Sequence, residues 1–207
     1  MHPPDDPPIN SPAWWERYFV ESWAANGGPA QTRHFMRRLI DELPDAERGL
    51  LAEPSTTLLD WGCAQGDGVD ELASAFPGAR VSGLDAAQSA IDACRRRFPR
   101  HDFLLPERGR IPRAFDVVIC SNCLEHFPEP VTVAAELARA VTRRLILLVP
   151  FDESPLCPSH VLRLDELSFP DRIVDLERTT SKVIDVDRRI WDGQQLLLVY
   201  APLSAPR

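Results

Sequence analysis

One short segment carries the residue types best suited to binding a ligand through the backbone. It reads Asp60-Trp61-Gly62-Cys63-Ala64-Gln65-Gly66 and lies between an apolar run and a helical pattern. A strand that ends in an acid and passes through glycines into a helix lets a ligand approach the backbone amides closely. An acid before the first glycine repels pyrophosphate and attracts a cation. We therefore predict a positively charged ligand, such as a sulfonium that carries an amino group.

A second carboxylate, Asp85, follows the next apolar run along the chain. A carboxylate at that strand end can accept hydrogen bonds from both hydroxyl groups of a ribose, as in other doubly wound nucleotide-binding folds. The alternative is that Asp85 caps a helix that starts at Ala86. Because Asp60 ends the preceding strand, we favour the ribose interpretation.

Two histidines follow later apolar runs and are candidates for proton transfer. His126 comes just after the run that ends at Cys120, and His160 follows the run that ends at Val149. Parallel α/β sheets bind ligands at the carboxyl ends of their strands, so both side chains belong at one edge. We predict that His126 and His160 are catalytic, with a capping or core role as the alternative.

These residues depend on a regular alternation of strand and helix patterns for their positions. We predict strands at 57–61, 80–85, 102–105, 115–120 and 144–149, and helices at 69–76, 88–98 and 130–141. Continuous apolar strands that alternate with helices indicate a parallel sheet covered on both faces. Asp192-Gly193 lies between two β-like runs, 182–191 and 194–201, which predicts a closing hairpin. The fold class is therefore α/β, a doubly wound sheet that is mostly parallel with an antiparallel last strand.

The residues before this alternation divide into a tail and two helices. Prolines at positions 3, 4, 7, 8 and 12 predict a flexible tail over residues 1–12. Aromatic residues at helical spacing predict a helix over 13–25, and a second helix covers 30–43. The aromatic face either packs against the sheet or forms a lid. We predict a helical cap over 13–44 and a main domain over 45–207.

The composition is that of a globular domain and excludes several classes of protein. Of 207 residues, 44% are hydrophobic and 26% charged, and the net charge is -8. Such an acidic chain is a poor partner for nucleic acid or an anionic membrane. The five cysteines fall in apolar or helical patterns, which indicates reduced thiols. We expect a cytoplasmic protein with no membrane segment, and both monomer and homodimer stay open.

Three segments, in this order and spacing, resemble class I methyltransferases that use S-adenosylmethionine. They are residues 59–66, the triplet Gly83-Leu84-Asp85, and the run 115–127, which ends in Glu125-His126-Phe127. The resemblance implies a seven-stranded sheet with a reversed last strand. It also implies that the loop from Gly62 to Gly66 borders the methionine part of the cofactor and that Asp85 holds the ribose.

The resemblance yields a set of predicted cofactor-binding residues. They are Asp60, Gly62, Cys63, Ala64, Gly66, Asp85, Ala86 and Asn122, with Arg33 as the partner of the methionine carboxylate. Ala64 replaces the family's usual middle glycine, which is tolerable if its φ is negative. The family's acid after the third strand is missing. Adenine recognition then relies on backbone and apolar contacts, or on Glu107.

The resemblance also raises the question of a metal. Some O-methyltransferases of this class carry a Glu-x-x-Glu-His ligand pattern, which the segment Asn122-x-x-Glu125-His126 resembles, with His160 as a further ligand. Neutral Asn122 lowers the affinity for a hard dication, so we predict that no metal binds.

The predicted function is methyl transfer from S-adenosylmethionine to a small metabolite, with S-adenosylhomocysteine as the product. We favour an oxygen acceptor over nitrogen, on a saccharide or natural-product intermediate. An NAD-dependent oxidoreductase is disfavoured because Asp60 precedes the glycines and the third glycine of its fingerprint is absent. The alternative is a non-catalytic protein that binds S-adenosylmethionine or acts as a scaffold for another enzyme.

Overall fold

The computed structural model describes residues 6–203 and contains one mixed sheet between two layers of helices. The strands are β1 (Thr57–Trp61), β2 (Arg80–Leu84), β3 (Asp102–Leu104), β4 (Phe115–Ser121), β5 (Val141–Phe151), β6 (Arg172–Ile173), β7 (Leu176–Asp185) and β8 (Gln194–Pro202). Their order across the sheet is β3-β2-β1-β4-β5-β8-β7-β6. The first five strands are parallel and β8 is antiparallel to β5, which confirms the predicted fold class.

Helices cover both faces because the central strands are apolar on both sides. The helices are α1 (Pro12–Glu21), α2 (Gly28–Glu42), α3 (Asp45–Ala52), α4 (Asp67–Ala75), α5 (Gln88–Arg97) and α6 (Pro130–Ala138), with a 3-10 helix at Leu124–His126. Successive side chains of a strand point to opposite faces. Leu58 of β1 accordingly packs with Met36 and Leu72, whereas Leu59 packs in a second core with Leu137. In the part of the chain described, none of these helices is both long and apolar enough to cross a membrane.

The strand register brings the carboxyl ends of the central strands to one edge. Trp61 of β1 pairs with Leu84 of β2 and with Cys120 of β4, and Ser121 pairs with Leu148 of β5. We call this edge the carboxyl rim. The segments that follow β1, β2, β4 and β5, in which all the predicted catalytic residues lie, leave the sheet there.

The sheet differs from the prediction at its far end. It has eight strands rather than seven, because the two-residue strand β6 adds to the edge beside β7. The predicted tight hairpin at Asp192-Gly193 is wrong, since Asp185 pairs with Gln194 and a longer loop joins β7 to β8. Trp191 leaves the strand and packs against Phe35 of α2, with ring centroids 6.1 Å apart.

The N-terminal segment contacts the rest of the domain from Asp6 onward, whereas the sequence predicts a flexible tail over residues 1–12. Residues 1–5 lie outside the described residues, but residues 6–11 do not behave as a separate tail. Asp6 pairs with Arg17 at 2.6 Å, and Asn10 donates a hydrogen bond to the Ser159 carbonyl at 2.7 Å. Ser11 caps α1 by accepting from the Trp14 amide.

The two N-terminal helices have different environments, although a single helical cap over residues 13–44 is predicted from the sequence. Phe35, Met36 and Leu39 of α2 are buried in the core on one sheet face. By contrast, α1 lies across the start of α5. The Glu16 carboxylate accepts hydrogen bonds from the amides of Gln88 and Ser89, at 2.6 and 2.9 Å. Helix α5 has no side-chain cap of its own, so α1 supplies one.

A buried carboxylate joins the helices on one face of the sheet. Asp67, at the first turn of α4, is 1% exposed and pairs with Arg33 of α2 and Arg97 of α5. Arg97 also donates to the Gln65 carbonyl at 2.9 Å. Arg97, in the arginine-rich last turn of α5, therefore helps to hold the helices together and is not merely a solvated side chain.

Candidate functional site at the carboxyl rim

The loop from Gly62 to Gly66 joins β1 to α4 and lies against the end of β2. The amides of Gly62 and Cys63 both donate to the Leu84 carbonyl, at 2.8 and 3.0 Å. The next amide, that of Ala64, donates to Asp85 Oδ2 at 3.0 Å. The loop is therefore held by the neighbouring strand, which fixes its shape before any ligand binds.

Ala64 adopts a conformation that the sequence did not predict. Its φ is +47°, in the left-handed region, so the negative φ that would make an alanine easily tolerable here is not found. The hydrogen bond from its amide to Asp85 accompanies this conformation. Its methyl group is buried with Phe19, Ala87 and Ala90, so the replacement of glycine gives α1 an apolar contact on the loop.

Position 62 requires a glycine for two reasons: its φ is +76°, and the side chain of Cys123 lies close to its Cα. A Cβ atom at this position would lie 2.2 Å from Sγ of Cys123, which follows β4. The glycine thus allows the segment after β4 to pack directly beneath the loop.

Asp60 is a buried carboxylate at the end of β1. It is 3% exposed, and its Oδ2 has no hydrogen-bond partner among residues 6–203. Its carboxylate lies against Gly68 of α4, where an added Cβ would be 2.6 Å from Oδ2. Burial, reinforced by the nearby charge of Asp85, raises the pKa of Asp60 to about 7. A cationic group beside Oδ2 would offset the free-energy cost of burying the ionised carboxylate.

Asp85 is also buried, but both of its oxygens are engaged. Oδ2 accepts from Ala64 as described, and Oδ1 accepts from the Ala87 amide at 2.9 Å. Burial nevertheless raises the pKa of Asp85 to about 6. Each carboxylate oxygen has a second lone pair, so these bonds leave capacity for the two hydroxyls of a ribose.

Of the remaining predicted cofactor residues, Ala86 and Asn122 lie at the rim, whereas Arg33 forms salt bridges with carboxylates of α4. Ala86 is exposed at the end of β2, and Asn122, with a φ of +52°, follows β4. Arg33 pairs with Asp67, Asp70 and Glu71 at 2.8 to 3.0 Å. These three carboxylates already neutralise its guanidinium, so the prediction that Arg33 binds the methionine carboxylate has no support in the contacts. Glu107 bridges to Arg110 through backbone atoms in an exposed turn.

The two predicted catalytic histidines do lie together. The ring centroids of His126 and His160 are 5.0 Å apart. Nδ1 of His126 is 3.0 Å from the Ser159 carbonyl, and because a carbonyl only accepts, this nitrogen carries the proton. Burial lowers the pKa of His126 to about 4, which makes it a neutral imidazole at neutral pH.

His160 has two neighbours that the sequence analysis did not identify. Nδ1 of His160 is 2.5 Å from Oε2 of Glu153, and the Trp191 ring stacks on the imidazole with centroids 5.8 Å apart. Glu153 lies in an irregular loop after β5, which offers no periodic signal. Trp191 ends the run 182–191 that the sequence predicts as a strand, whereas it lies in the loop between β7 and β8.

Glu125 completes the cluster. It is 1% exposed, its Oε2 has no partner in the described part of the chain, and its Oε1 is 3.9 Å from His160 Nε2. Burial raises the pKa of Glu125 to about 8. Ligand atoms of Glu125, His126 and His160 all lie within 4.8 Å of one another, close enough for these residues to share a metal ion. The absence of a metal stays a prediction.

Helix α1 covers both parts of the rim. Gln65 of the glycine loop donates to the Phe19 carbonyl at 2.9 Å, and Phe19 packs on Ala64. One turn earlier, Trp15 meets the His126 ring edge to face, with centroids 4.9 Å apart. The aromatic stripe thus spans from the glycine loop to the histidines, a position consistent with the predicted cap.

A separate cleft of about 610 Å³ lies elsewhere and is not part of this site. Arg80, Asp102 and Arg113 line it, at the amino ends of β2 and β3 and before β4. Ligands of open α/β sheets bind at the opposite edge, where the buried carboxylates and histidines are found.

Comparison with known proteins agrees with this geometry. Residues 59–144 match the family model of a methyltransferase domain. Trans-aconitate 2-methyltransferase of Paracidovorax citrulli is 27% identical over 135 residues, which cover 60% of this chain and 51% of that protein. Ubiquinone biosynthesis O-methyltransferase of Thiobacillus denitrificans is 37% identical over 92 residues, covering 41% and 39%. The chain therefore spans about half the length, or less, of these curated relatives.

A solved structure extends the likeness to nearly the whole chain. Magnesium protoporphyrin IX methyltransferase of Synechocystis PCC 6803, with bound SAH, has a TM-score of 0.72 at 16% identity and covers 93% of this chain and 100% of its own. The sheet order, the glycine loop and this likeness define a class I methyltransferase fold. The chain is thus similar, in fold and over residues 59–144 in sequence, to class I S-adenosylmethionine-dependent methyltransferases.

The contact between Gly62 and Cys123 yields a steric prediction. Gly62→Ala adds left-handed strain of about 1–2 kcal/mol and a clash with Cys123 Sγ, so we expect it to lower the free energy of unfolding by more than strain alone. Gly109→Ala is the matched control, because Gly109 has nearly the same φ and nothing within 4 Å of an added Cβ.

Adding Cys123→Ala to Gly62→Ala removes the clashing sulfur and leaves the strain. Urea unfolding of the two single variants and the double variant measures the coupling, which we expect to be about 1 kcal/mol or more. Additive effects, or an equal cost for Gly62→Ala and Gly109→Ala, would contradict the proposed contact.

Asp60 yields a prediction about stability and pH. Between about pH 4 and pH 7 the folded chain keeps a proton on Asp60 that the unfolded chain releases, so folding stability falls as the pH rises through this range. Asp60→Asn removes this titration. We expect the stability of the variant relative to wild type to increase from pH 4.5 to pH 7.5 by about 3–4 kcal/mol.

Urea unfolding at several pH values checks this expectation. Asp102→Asn, at an exposed position at the start of β3, serves as the control. A constant difference between Asp60→Asn and wild type across the range would show that Asp60 ionises normally in the folded chain.

Proposed function

We propose that this chain transfers a methyl group from S-adenosylmethionine to an oxygen atom of a small acceptor. The observation that carries the proposal is the buried carboxylate of Asp60, whose Oδ2 has no partner among the described residues, one strand away from the buried carboxylate of Asp85. The pair suits a ligand that joins a cationic part to a ribose. The match of residues 59–144 to a methyltransferase domain and the likeness to an SAH-bound methyltransferase structure support the same cofactor.

The residues present fit such a cofactor. A cationic group near Asp60 Oδ2 would supply the partner that this buried oxygen lacks. The free lone pairs of Asp85 suit the ribose hydroxyls, and the loop from Gly62 to Gly66, including Cys63 and Ala64, would border the methionine part. Ala86 and Asn122 stay proposed contacts at the rim. Adenine recognition has no proposed side chain, because Glu107 lies in an exposed turn.

S-adenosylmethionine supplies an already activated methyl group, so the task of the protein is alignment and, for a hydroxyl acceptor, removal of a proton. Alignment of this kind contributes about 7–11 kcal/mol in favourable cases. The histidine pair lies at the same rim as the two buried aspartates and provides a nitrogen for the proton. The name of the ubiquinone O-methyltransferase relative also supports an oxygen acceptor.

The surroundings of the histidines favour a small acceptor with a planar or apolar part. The indoles of Trp15 and Trp191 contact His126 and His160. Two carboxylates, Glu125 and Glu153, lie against His160. The charge of Glu153 repels an anionic acceptor, whereas Glu125, with its pKa raised to about 8, is mostly protonated at neutral pH. We therefore propose a neutral or cationic hydroxyl compound rather than the tricarboxylate that the trans-aconitate relatives are named for.

Calorimetric titration with S-adenosylmethionine and S-adenosylhomocysteine tests the cofactor, with NADH as the control ligand. We expect binding of both adenosyl ligands and none of NADH. Asp85→Ala removes charge-assisted bonds worth about 1.5–3 kcal/mol each, so we expect the dissociation constant to rise at least tenfold. Asp92→Ala, at an exposed position of α5, should leave it unchanged.

Two outcomes would overturn the proposal. Normal binding by Asp85→Ala would remove the ribose contact, provided that thermal unfolding shows the variant to be folded. Cofactor binding with no S-adenosylhomocysteine formed from any of a panel of phenols, catechols and sugars would favour a non-catalytic binding protein.

A further inference from the structure

The loop that follows β5 holds His160 through both its side chain and its backbone. Glu153 uses both carboxylate oxygens within this loop. Oε1 accepts from the Cys157 amide at 2.9 Å, and Oε2 lies 2.5 Å from Nδ1 of His160. The Cys157 carbonyl accepts from the His160 amide at 2.9 Å, which closes the turn between the two residues. Glu153 and His160 are thus fixed relative to each other by the backbone as well as by their side chains.

The carboxylate of Glu153 pairs with the imidazole of His160. Among residues 6–203, neither an arginine nor a lysine pairs with this carboxylate. Its side chain is 10% exposed and that of His160 is 7% exposed, so little water screens the contact. A carboxylate in this position accepts the Nδ1 proton and leaves the lone pair on Nε2.

Stacking fixes the plane of the His160 ring. Trp191 lies at 29° to the imidazole with centroids 5.8 Å apart, and the His126 ring meets it from another side. The Nε2 atom is 3.9 Å from Glu125 Oε1, a separation too long for a direct hydrogen bond. This nitrogen is therefore directed into the cluster with its lone pair free.

His126 differs in each of these respects. Its Nδ1 donates to the Ser159 carbonyl, a neutral acceptor that stabilises an imidazolium less than a carboxylate does. No carboxylate oxygen lies within hydrogen-bond distance of its ring among the described residues. The two histidines that the sequence singled out as equivalent candidates are consequently not equivalent.

We propose that Glu153 is a positioning residue that makes His160, rather than His126, the proton acceptor for the acceptor hydroxyl. The hydroxyl proton passes to His160 Nε2, and the electron pair of the O–H bond stays on the oxygen that becomes the nucleophile. Glu153 stabilises the resulting imidazolium, which returns the proton to solvent once the product has left. The proton transfer rests on the proposed function, whereas the position of the ring does not.

The position of the ring is tested on the protein itself. Nitrogen-15 NMR of the histidine-labelled chain reports which ring nitrogen carries the proton, and His160→Ala identifies the His160 signals among the five histidines. We expect His160 to carry its proton on Nδ1 with a strong hydrogen bond. Glu153→Gln should shift that signal, and Glu71→Gln, a carboxylate paired with Arg33 and Arg37 on another surface, should not.

The proton transfer is tested with a series of substituted phenols as acceptors. For phenols that are protonated at the assay pH, we expect His160→Ala to lower kcat by about 10²–10⁴-fold, with a smaller loss in Glu153→Gln. For nitrophenols that are already ionised, both variants should approach wild type. Affinity for S-adenosylhomocysteine should be unchanged in both variants, which also shows that they are folded.

Several results would overturn the proposal. These are an Nε2 proton on His160, a His160 signal insensitive to Glu153→Gln, or equal losses for ionised and protonated phenols, as a merely structural role would give. A His160 signal that changes when a chelator is added would make Nε2 a metal ligand instead. If wild type fails to bind S-adenosylhomocysteine, the proposed function fails, while the NMR result still decides the position of His160.

Discussion

The carboxylate of Asp85 is the interaction on which the rim depends. It accepts one amide hydrogen from Ala64, in the loop after β1, and another from Ala87, where α5 begins. The loop, the end of β2 and the start of α5 therefore share one buried acceptor. Helix α1 then attaches to the same assembly, because Glu16 binds the first amides of α5 and Phe19 packs on Ala64. A carboxylate in this place explains how the loop keeps its shape although an alanine occupies its left-handed position.

Charge is distributed unevenly around this assembly. On the helical side, Asp67 is neutralised by two arginines, so its burial contributes to holding α2, α4 and α5 together. At the rim, by contrast, Asp60 and Glu125 each keep a buried oxygen without a partner in the part of the chain described. Burial without compensation costs stability. The protein thus keeps these unpartnered carboxyl groups, with their raised pKa values, at the edge where its proposed ligands bind.

The sequence predicts much of the fold because the strands are buried on both faces. The observed bounds of β1 match the prediction, and those of β2, β3 and β4 differ by one residue, since continuous apolar runs have no other stable environment. The loop with Asp60 and the pairing of His126 with His160 followed from the same reasoning, because parallel strands bring their carboxyl ends together. The last hairpin was mispredicted because β7 ends at Asp185 and Trp191 packs on Phe35 instead of continuing the strand.

Contacts between distant segments were not predictable in the same way. Nothing near Arg33 in the sequence reveals the three carboxylates of α4 that bind it, and Glu153 lies in a loop without periodicity. The φ of Ala64 depends on an acceptor at the end of another strand. These features arise from tertiary packing, which local propensity and spacing do not encode.

The cap that α1 places on α5 also bears on how such a domain can evolve. Because Glu16 supplies the hydrogen bonds that α5 lacks from its own sequence, and Phe35, Met36 and Leu39 of α2 lie in the main core, the folding unit does not begin at residue 45. Recombination that exchanged the N-terminal helices between relatives as a module would leave α5 uncapped and one face of the sheet uncovered. Substitutions in α1 and in the residues of α5 that it contacts are therefore coupled, and one cannot change freely without the other.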